Sequence, residues 1–95
     1  MVANRTDAVT ALLSRTGTAH GIYEQEVLNG VYDEVWFDWY AEYVVEHGIG
    51  ALIGREITVD EMITFFKRIS AEHKASGSDE AWTSYYAKAL VIAKG

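Results

Sequence analysis

Apolar positions recur every three or four residues through most of the chain, the spacing that gathers them on one side of an α-helix. Ala8, Val9, Leu12 and Leu13 form a first stripe. Ala19, Ile22, Tyr23 and Val27 extend it beyond Gly17, as a bent continuation or as a second helix. Asn29-Gly30 stops that run. Asp33 then reads as an N-cap, with Tyr32 and Phe37 spaced as a hydrophobic staple, and Trp36, Trp39, Tyr40, Tyr43, Val44 and His47 follow at helical intervals as far as Gly48.

Residues 48–54, Gly-Ile-Gly-Ala-Leu-Ile-Gly, read as an apolar link with room for a single helical turn. Thr58-Val59-Asp60-Glu61 predicts a capping box with Ile57 and Met62 as its staple pair. Val59, Met62, Ile63, Phe66, Ile69 and His73 lie on the face that follows, Gly77 marks its end, and Trp82, Tyr85, Tyr86, Ala89, Leu90 and Ala93 trace a last helix. The pattern predicts an all-α fold, a compact bundle of four to five short helices forming one domain over residues 1–95. Its expected core is Trp36, Tyr40, Val44, Met62, Ile63, Phe66, Ile69, Trp82, Tyr86 and Leu90.

Residues 33–45 align without gaps to residues 79–91, with six of thirteen positions identical. A duplicated helical hairpin would leave this trace. So would two helices that independently select an acidic start followed by aromatics, because caps and core faces draw on few residue types.

Composition narrows the setting. Ninety-five residues are enough for one hydrophobic core and too few for two. The chain has no cysteine, which removes disulfides and thiolate metal sites, and its first residues lack the charged and apolar pattern of an export signal. A cytoplasmic location is the expectation. Net charge is −6, unevenly spread: residues 16–54 contain no Lys or Arg but seven acids, whereas residues 55–95 balance six acids with six bases. Such a field repels phosphate backbones and anionic lipid, so neither nucleic acid nor membrane is expected as a partner.

Three groups of residues carry candidate chemistry. Glu34, Asp38, Glu42 and Glu46 stand at successive i+4 positions and form an acidic ridge, to be explained by solvation, by a basic partner face such as Lys67, Arg68 or Lys74, or by a bound cation. His20 and Glu24, one turn apart, are the pair best spaced to share a proton or a divalent metal. No His-Glu-x-x-His or Glu-x-x-His motif supports a metal centre, so no cofactor is expected. His47 and His73 precede glycines, where imidazoles cap free carbonyls. No Gly-x-Ser-x-Gly elbow occurs, and Gly48-x-Gly50 follows an aromatic helix where a phosphate loop needs a strand, so no catalytic residue is assigned.

The third group is aromatic. Trp36, Phe37, Trp39, Tyr40 and Tyr43 crowd into eight residues, with Trp82 and Tyr85 later, and five rings on one short helix cannot all face one core. The surplus predicts a surface for a ligand or partner. The leading expectation is a non-enzymatic interaction module that binds itself, as a homodimer, or another protein through residues 33–47. The alternative is a small metal- or ligand-binding enzyme or sensor built on His20, Glu24 and nearby carboxylates and tyrosines. Mimicry of nucleic-acid charge by the acidic segment is a third, weaker option.

Overall fold

In a computed structural model, which describes residues 4–94, five helices follow one another with no β-strand among the described residues. They are α1 (Arg5–Glu26), α2 (Trp36–Glu46), α3 (Ile49–Ile53), α4 (Val59–Ser76) and α5 (Trp82–Lys94). The extreme N-terminus, on which the reading of export rests in part, lies outside the described residues.

Gly17 does not break the first helix. α1 starts at the Asn4 side chain, which accepts from the Asp7 N–H, and runs unbroken for 22 residues. Its inward stripe begins as Val9, Leu12 and Leu13 but continues through Thr16 and His20, all buried, whereas Ile22 is 53% exposed and Val27 ends the helix at 60%. The expected extension through Ile22 and Val27 is therefore corrected. An unbroken helix advances 100° per residue, which carries the face of Leu13 onto Thr16, Gly17, His20 and Glu24. One half of that face is apolar and the other polar, and the polar half borders the site described below.

The α1–α2 link turns on Asn29 and Gly30, both at positive φ (53° and 83°), while the Gly30 N–H donates back to the Glu24 carbonyl at 2.8 Å. Glycine reaches this region without strain. α2 begins at Trp36, two residues later than an Asp33 cap requires. Val35 holds the N-cap position with no side-chain bond, and the Asp33 carboxylate accepts instead from the Val35 N–H at 3.0 Å and from His20. Tyr32, expected to staple onto Phe37, is 68% exposed.

The capping box forms as expected: Thr58 and Glu61 each accept from the other's backbone N–H. Ile57 and Met62 are both buried, and so are Ile49 and Ile53 of the one-turn α3, which left-handed glycines close at Gly48 and Gly54. His47 donates from Nδ1 to the Tyr43 carbonyl at 2.8 Å, which satisfies its own helix end. His73 donates from Nε2 to Glu80 O at 3.0 Å, so it ties α4 to the next loop.

α1 packs chiefly on α5, and α2 chiefly on α4. Of the expected core, Val44, Met62, Phe66, Ile69, Tyr86 and Leu90 are buried, while Trp36, Tyr40, Ile63 and Trp82 pack against it only partly covered. α2 and α5 both start on the tryptophan of the repeated segment, yet Asp33 is buried and its counterpart Asp79 is exposed. The likeness thus lies in the helices, and the two acids do different work.

Candidate functional site

The unfinished burial of Trp36, Tyr40 and Trp82 has a geometric reason. These rings border a cleft of about 470 Å³ whose remaining lining is His20, Glu24, Tyr32 and Tyr86. Small-molecule sites commonly occupy ~300–1,000 Å³. α1 supplies the imidazole and the carboxylate, α2 and α5 supply two rings each, and Tyr32 comes from the link.

Gly17 makes room for this arrangement. A β-carbon there would stand 3.1 Å from Trp82 Cζ2, so the missing side chain lets the indole close on α1, and it would meet the Tyr40 hydroxyl at an ordinary contact distance of 3.7 Å. From Trp36 the rings proceed to Tyr40 (centroids 4.9 Å apart, inclined 68°), to Trp82 (5.8 Å, 50°) and to Tyr86 (5.4 Å, 71°). Inclined pairs of this kind match the ring quadrupoles and curve around the hollow.

A polar triangle closes one end. His20 Nε2 lies 2.9 Å from Asp33 Oδ2, both residues being buried, and His20 Nδ1 faces Glu24 Oε1 at 3.9 Å. The Asp33 N–H donates to Glu24 Oε2 at 3.0 Å. Asp33 therefore knots the link to one turn of α1, while Trp39 and Tyr40 set their rings edge-on to the imidazole at 5.0 Å each. Burial, reinforced by the Glu24 carboxylate and by the Tyr86 and Tyr32 phenols, pushes Tyr40 from 10.0 up to about 12. Burial also raises Tyr86, against a hydrogen bond with Ser70 that lowers it. Desolvation disfavours the phenolate, so the cleft presents neutral hydroxyls at ordinary pH.

Three of the seven aromatics expected at a surface site, Trp36, Tyr40 and Trp82, meet here. Phe37 lies against Trp36 at 4.0 Å, Trp39 stacks with Tyr43 behind His20, Tyr43 stacks on His47, and Tyr85 packs on His73. His20 and Glu24, expected as a metal pair, do come together. Their third neighbour is Asp33, which occupies the ring nitrogen itself, and among the described residues no group of three or more His, Cys, Asp or Glu is arranged to hold a metal. Glu34, Asp38, Glu42 and Glu46 are all exposed and in no ion pair among the described residues; Lys67, Arg68 and Lys74 do not reach them.

Tyr32, Tyr86, Gly17 and Asp33 went unrecognised as site residues. For Gly17 a signal existed: a glycine inside a helical stripe, costly for the helix, marks a close approach. Comparison with known protein families, curated proteins and solved structures found no match to this chain.

Proposed function

We propose that the protein is a small-molecule-binding module that holds a compact, largely apolar ligand between α1, α2 and α5. One observation carries this: Trp36, Tyr40, Trp82 and Tyr86 converge with His20 and Glu24 on a single hollow of about 470 Å³. Aromatic walls with a few convergent polar groups are the usual make-up of such sites. Binding without turnover is the better reading, because the lining has no serine, threonine, cysteine or lysine, and both nitrogens of its histidine face carboxylates. Screening compact aromatic fragments against the ¹⁵N-labelled protein tests it. Hits should shift backbone signals of His20, Glu24, Tyr32, Trp36 and Trp82; hits that map elsewhere, or none at all, contradict the proposal.

A second reading, self-association, is favoured by a different surface from the one the sequence suggested. Val27, Val31, Tyr32 and Val35, close together in the α1–α2 link, are each at least 60% exposed. Grouped apolar exposure of this kind commonly marks an interface. Light scattering at high micromolar concentration should then show a dimer that Val31→Asp dissociates, and a strict monomer eliminates this reading.

A further inference from the structure

We infer that the ligand of this cleft is an organic cation: a protonated amine or quaternary ammonium group on a compact apolar body. The inference rests on the cleft being a ligand site and adds its charge and chemistry.

Charge comes first. The lining contains no Lys or Arg, and residues 16–54, which supply α1's second half and all of α2, contain none either. The polar triangle is negative in either state of its histidine. With the ring protonated, His20 balances Asp33 at 2.9 Å and leaves the Glu24 charge over; with the ring neutral, both carboxylates are uncompensated. An anion entering here meets a carboxylate and no counter-charge, so the field selects against it. Glu24 is also the acid placed to act. Its Oε2 is held by the Asp33 N–H at 3.0 Å, its Oε1 stands 3.9 Å from the nearest imidazole nitrogen, and its side chain keeps 26% of its exposure.

The walls decide what kind of cation. A divalent metal needs several oxygen or nitrogen ligands converging on one point, and among the described residues no such group is present. What converges instead is π surface: Trp36, Tyr40, Trp82 and Tyr86, inclined at 50–71° to their neighbours, with Tyr32 on the link completing the lining. Ammonium groups are attracted to such faces within about 6 Å, most strongly to tryptophan, and an aromatic enclosure with one carboxylate is a recurrent way of holding them. The raised Tyr40 keeps its phenol neutral, so it adds a π face and a hydroxyl without adding charge.

Calorimetry with three probes of one shape tests this: para-hydroxyphenyl-trimethylammonium, its uncharged isostere para-tert-butylphenol, and the anion para-tert-butylbenzoate. The cation should bind at least about tenfold more tightly than the phenol, the benzoate weakest of all. Glu24→Gln keeps an amide oxygen for the Asp33 N–H, and its fold is checked by circular dichroism. It should weaken the cation by roughly five- to tenfold and leave the phenol within about twofold. If the phenol or benzoate binds as tightly as the cation, the site stands and the cation inference falls. If none of the three binds, the cleft reading falls with it.

Discussion

The indole of Trp82 rests directly on Gly17, its Cζ2 atom 3.1 Å from where a β-carbon would stand. Two effects of Gly17→Ala oppose each other. Alanine is better than glycine inside a helix by about 1 kcal/mol, whereas crowding a packed site costs about 1–3 kcal/mol. Trp82 is only partly buried and borders open space, so it can give way into the cleft. The variant should therefore unfold within about 5 °C of the parent while its tryptophan emission changes and ligand affinity falls severalfold. Unchanged affinity with a displaced indole would separate Gly17 from the site.

His20 and Asp33 are the second stringent pair. Truncating either leaves a buried polar group facing an empty partner, so Asp33→Ala and His20→Ala should each lose roughly 3 kcal/mol in urea unfolding. Asp33→Asn, which keeps one oxygen to accept from the Val35 N–H and turns an amide donor towards the His20 ring nitrogen, should lose less. The double variant should recover part of the summed loss, by about 1–3 kcal/mol. Simple additivity would mean that the contact contributes nothing to the fold.

Tyr40 predicts the alkaline limb of stability. Its pKa is raised from 10.0 to about 12 in the folded chain, so folding favours the neutral phenol. The contribution is whole below pH 10, where the phenol is neutral folded or unfolded. Above it the unfolded chain sheds the proton first, and stability drains away as pH rises towards 12. Tyr40→Phe should show a shallower decline between pH 10 and 12, and ultraviolet titration should show one tyrosine ionising about two decades late. Parallel declines in the two proteins would remove this assignment.

These relationships also mark where the sequence was legible. The Thr58–Glu61 box and the stops at Gly48 and Gly77 are local chemistry, written within four residues, and they stand where the pattern puts them. Asp33 was misread because capping a helix and accepting from a distant histidine use the same carboxylate, and spacing does not distinguish them. Periodicity put Trp36, Tyr40, Trp82 and Tyr86 on inward faces correctly. It says which way a ring points and not whether another chain segment covers it, so the hollow they share was invisible. Glu24 and His20 were picked out by their spacing, but the third member of their group arrives from the α1–α2 link, nine residues after Glu24.

The acidic ridge offers a test independent of the cleft. Glu42 lies one turn from both Asp38 and Glu46, all three exposed, so Glu42→Lys replaces two like-charge pairs with two opposite ones. Stability should rise by roughly 0.5–1 kcal/mol at low salt, and the gain should shrink at high ionic strength. A loss of stability would show that the ridge is already neutralised by something bound to it.

The account's central claim is that a ligand enters between α1, α2 and α5, and the indole N–H signals of Trp36, Trp39 and Trp82 report on it residue by residue. Titrating the tightest-binding probe should move Trp36 and Trp82 together along one saturation curve and leave Trp39, which sits behind His20 and outside the lining, nearly still. Movement of Trp39 alone, or saturation with Trp36 and Trp82 unmoved, would contradict it.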